Sequence, residues 1–517
     1  MTDSVAPAES RWRNSRYGFA GFYFLSLLGA WFALRLVLLL AFRPATMGAV
    51  DVARALLNGF QRDLFVSLVE TLPLLAWFAL VPNSRFGARW HRGLVLGASF
   101  VIFFGQIFLL VVEFFFFEEF KSRFNTVAVD YLIYPQEVFV NIWESYHVGL
   151  IIFCCLLLSL GWVVLAARLF RLAWTHPFST KSRWLHFAAV LGAASLLAVP
   201  LISVSFRPFR LRFEAAHVGT ERTLNEIANN GAFSFITAAW TRNLDYSAFY
   251  KTVPITEAFE RARRMLSQTN AQFQAEGQSI LRRIEGDPER PRLNVVIFLE
   301  ESLGSEFWGC LGRPRTLTPE MDSLAAAEGM LFTNIYACGN RTVRGMEGVL
   351  ASFPPLPPDS IVKRDLSDNV ETIARVLKRD GYATSFLYGG RGVFDGMRSF
   401  ALRNGYERFI EHNPPFHDDF PNSKFTTAWG VCDEDLFMRA VEEFRELSNT
   451  GKPFFATVLS VSNHKPYTYP TGKIPEDPAK KKRANAVKYS DYALGQFFRA
   501  ARKESFWTNT IFAVVAD

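Results

Sequence analysis

The stretch "CGNRTVRG" at 338–345 places one hydroxyl, Thr342, between two arginines and beside glycines. A threonine alone is a poor nucleophile. It becomes a useful one when a cation lowers its proton affinity and fixed positive charge receives an anionic substrate. Arg341 and Arg344 are the candidates to steady such a substrate, and each reads equally well as a surface arginine or an ion-pair partner.

Other groups of comparable chemistry stand at the ends of short apolar, β-branched runs: "LNVVIFLEES" at 293–302, "YATSFLYGG" at 382–390, "PFFATVLSVSNHKP" at 453–466 and "NTIFAVVAD" at 509–517. These runs predict buried strands of a largely parallel sheet, separated by helical stretches such as "TPEMDSLAAAEG" and "NVETIARVLKRDG". In open α/β sheets the site lies at the carboxyl ends of the strands. Here those ends carry Glu300, Glu301, Tyr388, His464 and Asp517. One such residue alone reads as a strand end meeting solvent, but together with Thr342 they make the oxygen and nitrogen donor set of a divalent metal site. If Glu301 and Asp517 hold Mn²⁺, Mg²⁺ or a similar ion against the Thr342 oxygen, the ion generates an alkoxide near neutral pH for in-line attack on a phosphate. Glu300 points the other way, because adjacent strand residues face opposite sides.

The elements that must carry this site follow a very different half. Of 517 residues 51 are Phe, and the apolar ones concentrate before residue 206. Five stretches, roughly 17–42, 63–82, 92–114, 147–170 and 185–206, approach the ~20 apolar residues that cross a bilayer. The first lies too far from the start, and is too long, for a removed signal peptide. Arg11, Arg13 and Arg16, then Arg85, Arg89 and Arg92, then Arg168, Arg171, Lys181 and Arg183 mark one side as cytoplasmic. The opposing loops carry fewer cations per length (Arg43, Arg54, Arg62; Lys121, Arg123), and an odd number of spans exports everything after about 206. The net charge of +7 is thus accounted for without nucleic acid.

Arg35 and Glu70 are charges inside predicted spans; the simplest reading is that they pair with each other or snorkel. "EFFFFEEF" at 113–120 reads as an interfacial aromatic collar. Residues 207–290 read as a helical connector closed by "EGDPERPR". Cys154 and Cys155 sit in an apolar run, and the three that remain, without C-x-x-C spacing, argue against a zinc site and against a disulfide framework while allowing one Cys310–Cys338 bridge.

The order of five spans, an exported α/β domain, "FLEES", "NRTVRGMEGVLASFPPLPPDSIVKR", "WGVCDEDLF", "SNHKPYTYP" and "VVAD" resembles the lipoteichoic acid synthase-like branch of the sulfatase and alkaline phosphatase superfamily, over essentially the whole chain. The resemblance implies a five-helix transmembrane domain (1–206), the connector (207–290) and an exported sulfatase-like catalytic domain with a mostly parallel sheet (291–517). It implies that Thr342 is transiently esterified by a phosphoglycerol group from phosphatidylglycerol, that Glu301, Thr342 and Asp517 ligate Mn²⁺ or another divalent cation, and that His464 is the substrate-side histidine. Arg341 and Arg344 join it as substrate-binding candidates. Where lipoteichoic acid synthases have a histidine and a tryptophan-arginine pair for the glycerol phosphate, "LYGGRGVFDGM" offers Tyr388, Phe394 and Asp395. The family pattern continues past Asp517 with a histidine ligand, so 1–517 reads as part of a longer protein.

The expected protein is a multi-pass enzyme of the bacterial cytoplasmic membrane. Its partners would be a phospholipid donor and a polyglycerophosphate, glucan or glycolipid acceptor. A phosphoethanolamine transferase is the alternative within the superfamily. A sulfatase is disfavoured by the lack of C-x-P-x-R or S-x-P-x-R, and a catalytically silent membrane scaffold is the alternative from another class.

Overall fold

The computed structural model describes residues 15–517 apart from 45, 46, 134, 176, 207, 208, 214, 242–250, 286–288, 340, 355, 357, 358, 365 and 366. Arg11 and Arg13 of the charge pattern lie outside the described residues. The chain divides into two compact units, 1–135 with 146–242, and 136–145 with 243–517. The connector expected over 207–290 is therefore shared between the two.

The first unit is built on α1 (Arg16–Phe42), α2 (Ala49–Leu80), α3 (Arg89–Phe120), α4 (Val148–Leu169) and α5 (Thr180–Ala198), followed by α6 (Arg222–Ala228) and α7 (Gly231–Thr241). Among the described residues four helices, α1 to α4, are long and apolar enough to cross a membrane. The fifth expected span does not reach that standard. Its helix ends at Ala198, and of the antiparallel pair of strands that follows, Ile202–Phe206 with Phe209–Phe213, the first lies inside the stretch 185–206 read as continuous helix and the second in the expected connector.

Charge inside this unit is arranged differently from the sequence reading. Arg35 pairs with Asp63 of α2 rather than with Glu70, through Nη2 to Oδ1 at 2.5 Å and Nε to Oδ2 at 3.0 Å. It also donates to the carbonyls of Gly59, Ile227 and Asn229. Asn230 donates to the same Asp63 at 2.9 Å. Glu70 instead accepts from the Trp31 indole at 3.3 Å. Nor is 113–120 a collar: Glu113 is fully buried in an ion pair with Arg123, and Phe116 and Phe117 are core residues. A buried charge with no water to solvate it needs a partner and satisfied hydrogen bonds, and the polar end of α6 supplies them, which ties 216–230 into this unit.

The second unit holds a six-stranded sheet of β1 (Asn294–Glu300), β2 (Ala383–Tyr388), β3 (Arg408–Asn413), β4 (His417–Asp418), β5 (Phe454–Leu459) and β6 (Thr510–Ala516), in the order β6-β1-β5-β2-β3-β4. All neighbours are parallel except β4, which pairs antiparallel with β3. The four expected strands are present. The fifth parallel one, "RFIEHN", escapes a reading of hydrophobic runs because its charges mask its period.

Alternation along β1 sends Val296 and Phe298 into one apolar cluster, with Leu436, Phe437 and Phe444 of α8 (Asp433–Ser448) and Leu494 and Phe497 of α9 (Arg483–Ala501). Ile297 and Leu299 go into the opposite cluster, with Val343, Met346 and Leu350 of the helix Thr342–Ala351. The same two-residue period carries Glu300 toward the first face and Glu301 toward the second, where the threonine helix lies.

Candidate active site

Thr342 is the first residue of its helix, with Arg341 as N-cap in extended conformation. Its hydroxyl therefore sits at the positive end of the helix dipole, among amides that have no intrahelical partner. Thr342 Oγ1 donates to Glu301 Oε2 at 3.3 Å, and His464 Nε2 meets the same oxygen at 3.1 Å. Ser302 supports the carboxylates from both sides. Its hydroxyl donates to Glu301 Oε1 at 2.8 Å and its N–H to Asp517 Oδ1 at 2.9 Å. It does so with φ at +51°, a conformation unfavourable for a residue with a Cβ and concentrated at functional turns.

Gly345 explains the glycine of "TVRG". A Cβ there would stand 2.9 Å from the Asp517 Cα and carbonyl carbon, so only glycine lets the end of β6 lie against the helix. The structure thus brings Thr342, Glu301, His464 and Asp517 together. Burial alone would raise the Glu301 carboxyl, but the His464 charge and the hydrogen bonds from His464 and Ser302 outweigh it and hold it down at about 2. Burial, and then the Glu301 charge, push Asp517 up to about 7. Glu300 is placed on the other side of β1. Burial, then the Asp433 charge, lift it well above the usual carboxylate range.

The remaining sequence candidates fall into two groups. Arg341 Nη2 reaches Asp395 Oδ2 at 3.4 Å, and Asp395, 2% exposed, also faces Lys363 at 3.6 Å. Asp395 thus positions Arg341 beside the nucleophile. Arg344 is turned toward Glu347 at 2.5 Å and the Leu356 carbonyl at 3.0 Å, which makes it a brace of the helix start. Tyr388 is buried at the end of β2 and lines a cavity of about 190 Å³ with Arg391, Phe394, His412 and Trp429. Cys310 and Cys338 are free thiols, so the bridge is not formed.

Sequence reading missed the residues that hold the histidine loop. Asp433 Oδ1 accepts from the N–H groups of Val461 and Ser462 at 2.9 and 3.0 Å, and its Oδ2 accepts from Ser490 at 2.9 Å. Asn463 donates to the Glu301 and Ser302 carbonyls, and Trp429 stacks on His464 at 4.4 Å. Their signal lies in "WGVCDEDLF" and "SNHKP", which hold more polar residues than a turn at a strand end requires.

A divalent cation would find three hard oxygen donors here, from Glu301, Asp517 and Thr342. Asp517 Oδ2 is buried without a hydrogen-bond partner, as an oxygen reserved for an ion would be. Among the described residues no group of three His, Cys, Asp or Glu side chains is arranged to hold a metal ion, so the oxygen donors at hand are these two carboxylates and one hydroxyl.

Residues 293–517 match the model of the Sulfatase family. A phosphoglycerol transferase I of Xanthomonas campestris pv. campestris is 28% identical over 247 residues, which cover 44% of this chain and 34% of that protein. The chain thus spans about a third of the length of the curated relatives it matches. Among solved structures, an alkaline phosphatase superfamily protein from Vibrio parahaemolyticus is 41% identical over 53% of this chain and 65% of its own, with a TM-score of 0.46. The membrane-integral lipooligosaccharide phosphoethanolamine transferase A of Neisseria meningitidis shares the fold over 97% of this chain and 82% of its own, at 15% identity and a TM-score of 0.50. The likeness to the Sulfatase family is thus carried by residues 293–517, the unit that holds Thr342, Glu301, His464 and Asp517.

Proposed function

We propose that this protein is a membrane-anchored phosphotransferase that moves a phosphoglycerol headgroup from phosphatidylglycerol, through an ester on Thr342, to an acceptor outside the cytoplasm. The observation that carries the reading is the 3.3 Å contact of Thr342 Oγ1 with Glu301 at a helix N-terminus, with His464 and Asp517 on the same carboxylate cluster. The named activity of the phosphoglycerol transferase I relatives supports the choice of headgroup.

In this reading the amides at the start of the threonine helix and Arg341, fixed by Asp395, receive the phosphate charge. Glu301 orients the hydroxyl. His464, held by the Asp433-braced loop, faces the substrate. Mn²⁺ or a similar ion held by Glu301, Asp517 and Thr342 would supply Lewis acidity. The outward placement of the enzyme domain rests on the arginine pattern and requires α5 to cross as well. At 19 residues α5 is close to the ~20 of a span.

The test is release of diacylglycerol from phosphatidylglycerol vesicles by the protein with Mn²⁺. The wild type is expected to release it and Thr342→Ala is not. Preference for phosphatidylethanolamine as donor would redirect the reading to phosphoethanolamine transfer, and no lipid cleavage by the wild type would overturn it.

A further inference from the structure

Residues 251–285 form a helix, Ile255–Leu266, and a hairpin of two short strands, Ala271–Phe273 with Arg282–Ile284. None of these described residues is buried. The stretch is nonetheless held as one piece. Arg263 of the helix donates to the carbonyls of Ala275 and Ser279, each at 2.7 Å, and its guanidinium lies 4.1 Å from the centre of the Phe273 ring. Arg282 of the hairpin donates to the Leu266 carbonyl at the end of the helix. A folded piece without an interior turns its apolar side chains toward whatever lies outside it, and a cluster of them marks a contact surface.

Those side chains are grouped. Ile255, Ala258, Phe259, Ala262, Met265 and Leu266 recur at the three- and four-residue spacing that puts them on one face of the helix, while Glu257, Glu260 and Arg264 take the opposite one. Ile255 is 60% and Met265 87% exposed. In the hairpin Leu281 is 62% exposed, with Ile280 and Ile284 exposed near it. At 12 residues the helix is about 18 Å long, too short for the ~30 Å of a hydrocarbon core. A short amphipathic helix with arginines outside its apolar stripe is built to lie along a lipid surface rather than to cross it.

Charge and chain length point to the same surface. Over 251–285 six Lys and Arg stand against four Glu. Arg261 pairs with Glu257, whereas Lys251, Arg264 and Arg283 form no ion pair among the described residues. Anionic headgroups complement that excess of cations. The chain also keeps the piece close to a bilayer. Ile255 follows Thr241, the last residue of α7, by 14 positions (241 to 255), at most ~50 Å of extended chain. The compact unit that contains 251–285 also contains 136–145, and Ser145 stands just three positions before Val148, where the apolar helix α4 begins.

We infer that 251–285 is a lipid-docking module: the apolar face of Ile255–Leu266, with Ile280 and Leu281 of the hairpin, lies in the headgroup boundary of the bilayer that this chain's own apolar helices cross. Its partner is anionic phospholipid, whose phosphates meet Lys251, Arg264 and Arg283. Docked in this way, the module holds the enzyme domain that follows it against a lipid surface. The placement holds whatever group the enzyme transfers.

The experiment uses the full chain in nanodiscs of phosphatidylcholine, with or without phosphatidylglycerol. Benzoylphenylalanine in place of Met265 is irradiated, and its cross-linked peptide is identified by mass spectrometry. A phospholipid adduct is expected, several-fold more abundant with phosphatidylglycerol than without, and reduced by Ile255→Glu and by high salt. The same probe in place of Glu260, on the opposite face, should give several-fold less. A second readout needs no probe: hydrogen exchange of the peptide 253–266 should slow several-fold when phosphatidylglycerol is present. Lys251→Glu together with Arg283→Glu should remove that difference, and both side chains are exposed, so the fold is spared.

A cross-link from position 265 to another segment of this chain would make the face an internal contact, and one to a second copy would make it a dimer interface; either overturns the inference. Equal lipid labelling from positions 260 and 265, or labelling and exchange indifferent to phosphatidylglycerol, would overturn it too. Neither readout involves turnover. A wild type that cleaves no lipid would therefore end the phosphotransferase reading and leave the docking to be decided by the cross-link alone.

Discussion

Gly345→Ala sets local preference against site geometry. The position is inside the helix Thr342–Ala351, where alanine in place of glycine ordinarily stabilises by about 1 kcal/mol. Here the added methyl would stand 2.9 Å from the Asp517 Cα and carbonyl carbon and 3.1 Å from its Cβ. Ordinary contact begins near 3.4 Å, so the end of β6 must retreat by about half an ångström, and forced overpacking of this kind costs about 1–3 kcal/mol. The two effects on stability nearly cancel, and the thermal midpoint should move by only a few degrees.

Activity should not be spared. Asp517 and the Ser302 turn are joined at 2.9 Å and Ser302 holds Glu301, so the retreat loosens the carboxylates around Thr342. Misplacement of about 1 Å costs about a hundredfold, and half of that should slow lipid cleavage about tenfold. The assay pairs a melting curve with the initial rate of diacylglycerol release at saturating Mn²⁺. An unchanged rate together with a raised melting point would refute the claim that glycine is there for Asp517.

Three further outcomes are expected. Glu301→Gln should weaken Mn²⁺ binding by an order of magnitude or more, whereas Glu300→Gln should leave it nearly unchanged because Glu300 faces the other side of β1; calorimetric titration of both variants decides, and equal effects would mean a misread register. Asp491 accepts from the N–H groups of Glu320 and Met321, and burial pushes its carboxyl up from 3.8 to about 7. Its contribution to stability is therefore full below pH ~4 and lost as pH rises through 7, on the order of 4 kcal/mol; melting curves from pH 4 to 8 should be flatter for Asp491→Asn, and parallel curves would contradict this. Arg35→Met leaves Asp63 buried without its partner and should destabilise by about 3–5 kcal/mol, while Glu70→Gln, which keeps an oxygen for the Trp31 indole, should change melting in detergent little.

Strand ends were legible because an apolar β-branched run that stops at an acidic or histidine residue marks a buried strand reaching a polar edge, where open α/β sheets carry their sites. Glu301, His464 and Asp517 stand out on that pattern alone, before any placement of Thr342 next to them. The pairing of Arg35 with Asp63 was not legible, since it depends on which faces of α1 and α2 meet and on carbonyls from 227–229, far along the chain. The same holds for Asp395, read as substrate-binding and found bracing Arg341 from 54 residues away. The bounds of the fifth apolar stretch were misjudged because hydropathy averaged over 185–206 hides the change from helix to strand after Ala198. The Ser302 turn carries its role in a positive φ, which no residue type announces.

The proposed mechanism stands or falls on a bond between the Thr342 oxygen and phosphorus. That bond is observable by peptide mass spectrometry of the full chain, quenched after incubation with phosphatidylglycerol and Mn²⁺ in the absence of acceptor. The expected spectrum shows one phosphoglycerol group on the peptide containing "TVRG", absent from Thr342→Ala and discharged when acceptor is added. A phosphoglycerol group on a different residue, or lipid cleavage by the wild type with no adduct at any time point, would contradict it.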